Sequence, residues 1–310
     1  MSALDISQSI AYFRDGFVPF SDAKLSIASS PVLYGLSVYT VIGGFWNQKY
    51  KKLNIFRLKD HYQRLINSTK IMDFHSFAAD WNYEDFESTI LELLGLNKIR
   101  ENVLIRATVF VDEISPGTKI HGLANSLSVY VYPMGELFAR DGINVCVSSW
   151  QRTGDNAIPS RAKINGSYIN ASLMKNEALQ NGYEDAIALD SHGHVTESTV
   201  SNVFMVRDGQ IITPDTSTDV LEGVTRDTVI QTAKYLGLPL IERSIDRSEL
   251  YIADEIFLSG STARITPVLS VDKRLIGNGI QGPVTVKINK AYEDIQAGNN
   301  KAFKAWLSSV

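Results

Sequence analysis

The order of strand-like and helix-like segments is the feature that most constrains the fold of this 310-residue chain. Runs rich in β-branched and aromatic residues, such as NVLIRATVFVDE and NSLSVYVYPM, alternate with stretches whose apolar residues recur at helical spacing. Two Asp-Gly pairs, Asp15-Gly16 and Asp208-Gly209, lie between strand-like runs and predict tight hairpins. The pattern therefore predicts an α+β architecture.

The strand and helix signals divide the chain in two. Residues 1–136 predict a small N-terminal domain, residues 137–142 a polar link, and residues 143–310 a larger domain whose last helix begins at residue 283. In the first domain, residues 82–95 predict one helix and HYQRLINSTKI another. The apolar residues predicted to face inward from the latter are Tyr62, Leu65, Ile66 and Ile71.

Composition narrows the choice of partners. The chain has 310 residues, of which 44% are hydrophobic, and can therefore bury two hydrophobic cores. Its net charge of −4 argues against a nucleic-acid partner. The single cysteine, Cys146, cannot form an intrachain disulfide and is predicted to be a small buried strand residue, which suits a reducing compartment. No leader pattern and no run of ~20 apolar residues is present. We therefore expect no membrane contact and a cytoplasmic enzyme or binding protein.

Several common motifs are missing or misleading. The sequence contains no GxxxxGK[ST], HExxH or CxxC, and His192-Gly193-His194 lies in a turn where solvated imidazoles are expected, so no metal site is predicted. GNGIQG at 277–282 matches GxGxxG. A dinucleotide site also needs a helix and a second strand that ends in an acid about 20 residues later. We expect the sequence after the motif to leave no room for both, so we expect no dinucleotide site here.

The remaining polar signals lie at turns of the second domain. Lys163 in SRAKINGSY precedes Asn165-Gly166, a pair that predicts a sharp turn because Gly adopts positive φ without steric cost and Asn tolerates it. Glu197 in HVTESTVSNVF occupies a Ser/Thr-rich stretch that leads into a strand, where a buried carboxylate needs a cation or a proton donor. Each has an ordinary alternative: Lys163 as a surface lysine, and Glu197 as a structural acceptor.

Two further turns predict anion binding. LEGVTRDTV places residues 223–225 at a helix start, and LSGSTARITP places residues 260–262 in a turn after a strand. The ordinary alternatives are a helix cap for Thr225 and a plain turn residue for Ser261. A lysine, an acid and two anion-binding turns together suit pyridoxal 5′-phosphate, whose aldehyde needs an amine, whose ring nitrogen needs an acid and whose phosphate needs donors.

At these residues the chain resembles a known family, the class IV aminotransferases of pyridoxal-phosphate fold type IV, and most closely the branched-chain amino acid aminotransferases. The motifs that carry the resemblance run over nearly the whole chain: IFRLKDHYQRL, VSSWQRTGDNAIPSRAKINGSY, GYEDAIALD, VTESTVSNVF, LEGVTRDTV, ADEIFLSGSTARITPV and GPVTVKI. The resemblance implies a two-domain, D-amino acid aminotransferase-like fold. It also implies a homodimer or higher oligomer whose active sites lie between the two domains and receive a loop from the partner subunit.

The resemblance also implies roles for individual residues. Lys163 bonds the cofactor aldehyde, Tyr168 hydrogen-bonds the ring hydroxyl, Glu197 pairs with the ring nitrogen and Leu221 packs on the ring face. Asn202 supports the site. The phosphate is held by Arg64, Val224, Thr225 and Ser261. The substrates, an amino acid and a 2-oxo acid, contact Tyr34, Tyr39, Arg106, Thr262 and Ala263.

The substrate half departs from the branched-chain pattern. The segment EGIR expected after the first tyrosine is replaced by Thr40-Val41-Ile42-Gly43, and Met134 stands where an aromatic residue is expected. SVYTV is similar to the (R)-selective amine transaminases of the same fold. The preferred reaction is transamination of a branched-chain L-amino acid with 2-oxoglutarate or another 2-oxo acid. The alternatives are an (R)-amine or D-amino acid transaminase, an aminodeoxychorismate-lyase-like enzyme and a non-catalytic binding protein.

Overall fold

The residues that the structure describes form two separate sheets, one in each of two units. The structure, a computed structural model, describes residues 4–115 and 117–310. The first unit comprises the described residues up to Gly135 together with Ala162–Gly166 and Asp294–Val310. The second unit comprises Glu136–Arg161 and Ser167–Glu293. The domain division at 137–142 stays a prediction.

The sheet of the first unit is antiparallel throughout, in the order β16-β4-β3-β5-β6-β1-β2. Its long central strands carry the β-branched residues, as expected for strands that are buried on at least one face. The strands are β1 (Ile10–Phe13), β2 (Gly16–Pro19), β3 (Ser37–Asn47), β4 (Lys52–Phe56), β5 (Val103–Val111), β6 (Asn125–Pro133) and, from the chain's end, β16 (Leu307–Ser309).

Four α-helices belong to the first unit: α1 (Ser30–Tyr34), α2 (Leu58–Ile71), α3 (His75–Asp80) and α4 (Tyr83–Leu96). Three 3₁₀ segments accompany them: Ile6–Gln8, Phe20–Asp22 and Lys301–Trp306. Leu65 of α2 and Phe86 of α4 are fully buried, as is Ile42 of β3. The helices therefore bury apolar stripes in the core that the sheet also faces.

The sheet of the second unit mixes parallel and antiparallel pairs in the order β12-β11-β10-β13-β14-β7-β8-β9, and β15 pairs with β14. A further pairing between Glu197 of β9 and Asn202 of β10 closes six of these strands into a ring. The strands are β7 (Ile143–Val147), β8 (Asp185–Leu189), β9 (Val195–Ser198), β10 (Asn202–Arg207), β11 (Gln210–Thr213), β12 (Leu240–Glu242), β13 (Glu255–Gly260), β14 (Arg264–Val271) and β15 (Arg274–Leu275).

The helices of the second unit are α5 (Tyr168–Gln180), α6 (Val224–Tyr235) and α7 (Arg247–Leu250), and α8 (Pro283–Gln296) begins there and ends in the first unit. The core includes Val145, Met205 and Leu258, which share one apolar cluster. Phe204 and Phe257 stack at a centroid distance of 5.0 Å across β10 and β13. This packed sheet fixes the ends of the strands from which the candidate site residues emerge.

Most predicted elements are present. Both Asp-Gly hairpins are confirmed, β1–β2 and β10–β11, and α8 begins at Pro283 as predicted. The inward position predicted for Ile71 is wrong, because its side chain is 43% exposed. Nine residues separate it from Tyr62, so at about 100° per residue it lies on the opposite side of α2. The short helix α3 was not predicted.

Two other sequence predictions concern burial and membranes. Cys146 is 7% exposed on β7, and burial raises the pKa of its thiol to about 11. The prediction of a small buried strand residue is thus confirmed. Among residues 4–115 and 117–310, no helix combines the length and the apolar character that crossing a membrane requires.

Candidate active site

Main-chain hydrogen bonds hold Lys163 beside the first residues of β3. Its carbonyl accepts a hydrogen bond from Tyr39 N at 2.9 Å, and its amide donates to Ser68 Oγ at 3.2 Å. Just after it, Ile164 bridges Val38 and Asn165 N donates to the Ser37 carbonyl. Because these contacts use main-chain atoms of the segment, the position of the lysine is set independently of its amine.

The Asn165-Gly166 turn is present, but its predicted reason was wrong. Neither residue is among the described residues with positive φ. A Cβ on Gly35 would lie 2.6 Å from Gly166 Cα, and one on Gly166 would lie 3.4 Å from the Gly35 carbonyl oxygen. Glycine is thus needed for the close approach of two backbones, the turn after α1 and the turn after Lys163.

The ring of Tyr39 contacts two cationic side chains. Lys163 Nζ is 5.0 Å from the centroid of its ring, and the Arg106 guanidinium carbon is 3.7 Å from it. Arg106 also donates a hydrogen bond of 2.6 Å to Asn165 Oδ1, while Asn165 Nδ2 donates to Ser37 Oγ at 2.7 Å. The structure therefore brings together Lys163, Tyr39 and Arg106, three of the residues singled out from the sequence.

Arg64 belongs to a second network of the first unit. Its Nη2 donates to Thr40 Oγ1 at 3.1 Å, and Thr40 Oγ1 lies 2.7 Å from His61 Nδ1. The threonine hydroxyl thus links the guanidinium of Arg64 to the imidazole of His61. Burial, followed by the charges of Arg64, Arg57 and Lys163, holds the pKa of His61 well below its usual value. The network is thus built around a neutral histidine in a positive field.

Tyr34 is placed differently from the other predicted substrate residues. It is the last residue of α1, its side chain is 42% exposed, and Gly35 follows it in the left-handed conformation. A Cβ on Gly166 would lie 3.5 Å from the Tyr34 carbonyl oxygen. The backbone of Tyr34 is therefore next to the Lys163 segment, while its ring remains half exposed.

In the second unit, Glu197 is a buried carboxylate with three hydrogen-bonding neighbours. Its Oε1 lies 2.6 Å from Arg152 Nη2, and its Oε2 accepts from Asn202 Nδ2 and from Leu221 N, both at 3.1 Å. Glu197 is 6% exposed. The cation that a buried acid requires is therefore Arg152.

Asn202 connects Glu197 to the loop before α6. Its Nδ2 also donates to the Leu221 carbonyl at 2.9 Å, and a Cβ on Gly223 would lie 2.1 Å from its Oδ1. A side chain at position 223 would thus displace Asn202. The sequence LEG is explained by this contact, since Gly223 is the cap that precedes α6.

The two predicted anion-binding turns are present in the second unit. α6 begins at Val224, with Thr225 buried in its first turn, so the positive end of the helix dipole lies there. Ser261, Thr262 and Ala263 form the turn between β13 and β14, and the Ala263 carbonyl accepts a hydrogen bond from Thr266 Oγ1 at 2.7 Å. Tyr168 opens α5 in the same unit, two residues past Gly166.

The sequence prediction missed several polar residues that hold the predicted ones in place: Arg152, Thr40, His61, Ser68 and Asn165. Two signals were available. His61 stands four residues before Leu65 and so shares the buried face of α2. Arg152 lies in the quoted motif VSSWQRTGDN, and the cation needed by Glu197 was predicted without being identified.

The comparisons with known proteins agree over most of the chain. Residues 46–271 match the family described as Amino-transferase class IV. A probable branched-chain-amino-acid aminotransferase of Aquifex aeolicus is 37% identical over 98% of this chain and 97% of its own length.

Two solved structures give the same picture. The branched-chain aminotransferase of Thermoproteus uzoniensis with norvaline has a TM-score of 0.92 and 34% identity, with 97% of this chain and 99% of that chain covered. The PLP-form of the branched-chain amino acid aminotransferase from Thermobaculum terrenum has a TM-score of 0.92 and 31% identity, with 98% and 99% covered. The predicted fold class is confirmed, and the chain belongs to the class IV aminotransferases.

Proposed function

We propose that this aminotransferase uses pyridoxal 5′-phosphate to exchange amino groups between a branched-chain L-amino acid and 2-oxoglutarate or another 2-oxo acid. The relatives named above support the reaction and the cofactor, since they are branched-chain aminotransferases and one of them is in its PLP-form. The observation in this chain that carries the proposal is the anchoring of Lys163 by main-chain bonds, with its amine beside Tyr39 and Arg106.

The surroundings of Glu197 suit the ring nitrogen of the cofactor. An ionised carboxylate offers about four acceptor positions, and the described contacts of Glu197 use three of them. One position is left for the N–H of a protonated pyridine. Arg152 keeps the carboxylate paired and oriented. In that position Glu197 would stabilise the positive charge of a protonated ring nitrogen. Leu221, whose amide bonds Glu197, is assigned to the ring face, and Tyr168 to the ring hydroxyl.

We assign the cofactor phosphate to Arg64, Val224, Thr225 and Ser261. Val224 and Thr225 lie at the start of a helix, where amide N–H groups and the dipole favour an anion. Arg64 is oriented by Thr40, and Arg57 and Lys163 are further cations close enough to lower the pKa of His61 after the effect of its burial. Asn202 supports this set because it fixes the loop that precedes α6.

When bound, the cofactor supplies an electron sink that makes the substrate Cα–H acidic. Lys163 would act as the general base: with a substrate amine in its place, its Nζ would take the proton from the substrate Cα and donate it to the aldehyde carbon of the cofactor. Tyr39 packs beside that amine and excludes water from one side. Glu197 keeps the ring nitrogen protonated throughout.

Arg106, Tyr34 and the Ser261–Ala263 turn are assigned to the substrate carboxylates. Arg106 is suited to a carboxylate because its planar group presents paired donors, and Asn165 and Tyr39 already fix its orientation. Apolar walls for a branched side chain come from Tyr39, Val41 and Met134. We further propose a cytoplasmic enzyme that is a homodimer or a higher homo-oligomer.

A panel of amino donors tests the assignment. The cofactor-loaded enzyme is assayed with leucine, isoleucine and valine against 2-oxoglutarate and pyruvate, and next to these with (R)-1-phenylethylamine, D-alanine and aminodeoxychorismate. Branched-chain donors are expected to give the highest kcat/KM, with weak activity toward the amine because Thr40–Gly43 replaces the usual segment. A faster reaction with the amine, or pyruvate release from aminodeoxychorismate, would replace the proposed substrate class. Size-exclusion chromatography of the same preparation checks the oligomer, and an active monomer would contradict it.

A further inference from the structure

Asp73, His75 and His121 form a cluster of ligand-type side chains in the first unit, apart from the residues assigned to transamination. Each offers one ligand atom, and the three atoms lie within 4.8 Å of one another. His121 Nδ1 is 2.8 Å from Asp73 Oδ2, and His75 Nε2 contacts the other oxygen, Oδ1. Two imidazoles thus face one carboxylate from two sides.

The backbone presents these side chains together. Asp73 follows the end of α2 with a φ of 58°, a conformation that reverses the chain, and His75 opens α3 two residues later. Phe74, between them, is 1% exposed and fixes the turn in the core. The fold therefore aims Asp73 and His75 outward from an anchored turn.

His121 comes from the loop between β5 and β6. The Asp112 amide donates to the Ala124 carbonyl at 2.9 Å, which closes the base of this loop. Next to it, Ser76 Oγ accepts from the Asn125 amide and lies 3.1 Å from Asn125 Oδ1. Since Ser76 follows His75 directly, this contact holds the end of the loop beside α3.

We propose that Asp73, His75 and His121 bind a divalent transition-metal ion of the Zn²⁺ type, which ties the turn after α2 to the loop between β5 and β6. Imidazole nitrogen with one carboxylate oxygen is a ligand set typical of Zn²⁺, Co²⁺ and Ni²⁺. Ligands about 2.1 Å from a tetrahedral ion are about 3.4 Å apart, and the three ligand atoms, now within 4.8 Å of one another, can reach that spacing by side-chain rotation.

Exposure makes that adjustment easy and leaves the ion open to solvent. The side chains of His75 and His121 are 65% and 79% exposed, and that of Asp73 is 42% exposed. Three protein ligands leave a fourth position for water. The imidazole nitrogens that now contact Asp73 must carry no proton when they bind the ion.

Isothermal titration of untagged, dialysed holoenzyme with ZnCl₂ tests the site. We expect one ion per chain, and at least about tenfold weaker binding in each of Asp73→Asn, His75→Ala and His121→Ala, since losing even an outer partner costs about that much. The matched control is His192→Ala, which removes another exposed histidine and should bind as the wild type does. Equal affinity in all variants, or no binding by the wild type, would overturn the proposal.

Limited trypsin digestion provides a second measurement. Lys119 is an exposed cleavage point two residues before His121, and Lys273 is an exposed one in the turn between β14 and β15. Zn²⁺ should slow cleavage at Lys119 in the wild type and leave cleavage at Lys273 unchanged. In His121→Ala the effect at Lys119 should disappear. Slowing of both cleavages alike would mean that the ion inhibits trypsin or binds elsewhere, against the proposed site.

Discussion

Arg152 Nη2 and Glu197 Oε1 form a buried ion pair at 2.6 Å, with side-chain exposures of 12% and 7%. The other Glu197 oxygen is held by Asn202 and by the amide of Leu221. Both carboxylate oxygens are therefore held by protein groups, and a paired guanidinium offsets part of the cost of burying this acid. The acid assigned to the cofactor ring is thus oriented by protein groups in advance.

Removal of Arg152 tests how much its ion pair with Glu197 stabilises the fold. Arg152→Ala leaves Glu197 buried without its cation, and we expect the free energy of unfolding to fall by about 3–5 kcal/mol. Arg140→Ala is the matched control, because its ion pair with Glu136 is exposed and should be worth less than about 1 kcal/mol. Urea unfolding of the two variants checks this, and equal losses would mean that the Arg152 pair contributes no more than a surface pair.

Glu197→Gln tests the charge rather than the packing. The amide has nearly the same shape and still accepts a hydrogen bond from Arg152, but it cannot balance a pyridinium charge. Cofactor binding should therefore persist, measured by absorbance after gel filtration, while kcat falls by two orders of magnitude or more, at about the scale of lost acid–base catalysis. Near-normal kcat would show that another group keeps the ring nitrogen protonated.

Lys163→Ala should abolish transamination without unfolding the chain. The bonds to Tyr39 and Ser68 use main-chain atoms of Lys163 and survive the change. We expect a loss of at least about 10³-fold in kcat/KM for leucine with an unchanged melting temperature, because the proton-carrying amine is removed. Lys163→Arg, which keeps the charge, should be equally inactive. Substantial turnover by Lys163→Ala without added amine contradicts the assigned role.

The sequence predicted the parts of the site that depend on local turns. The turn after Lys163 and the start of α6 at Val224 are present as predicted, although the Lys163 segment belongs to the first unit and not to the second. The partners of these residues follow from long-range packing instead. Arg152 follows β7 and Glu197 lies on β9, so their contact depends on the packing of segments that are far apart in the chain.

The same distinction explains the turn at Asn165-Gly166. The local rule for Asn-Gly favours positive φ, whereas the actual demand is the approach of Gly35 from a distant turn. It also explains Ile71, whose apolar character alone suggested burial. Periodicity counted from Tyr62 places it on the solvent side, so the error came from composition outweighing spacing.

His61 should make stability depend on pH. Its folded-state pKa lies well below the usual 6.5 through burial, so the unfolded chain binds a proton more readily and stability is lost as pH falls below about 6.5. The free energy of unfolding can fall by at most about 1.4 kcal/mol per pH unit from this one group.

His61→Gln, whose carbonyl can accept from Thr40, should show a shallower decline in melting temperature between about pH 7 and pH 5. His192→Gln is the exposed control and should follow the wild type. Parallel curves for His61→Gln and wild type would mean that folding does not lower the pKa of His61.

Arg106→Ala should separate the two substrates of the reaction. The guanidinium is held by Asn165 at 2.6 Å and by the Tyr39 ring, so it is available in a fixed place for the distal carboxylate of glutamate or 2-oxoglutarate. Leucine has no such carboxylate. We expect kcat/KM for 2-oxoglutarate to fall by a factor that corresponds to about 1.5–3 kcal/mol of transition-state free energy, the contribution of a hydrogen bond to a charged group. The value of kcat/KM for leucine should change far less. Asn165→Ala keeps the guanidinium but removes the side chain that orients it. In this variant kcat/KM for 2-oxoglutarate should again fall more than kcat/KM for leucine, but by less than in Arg106→Ala. Equal losses for both substrates in Arg106→Ala would make Arg106 a structural residue of β5.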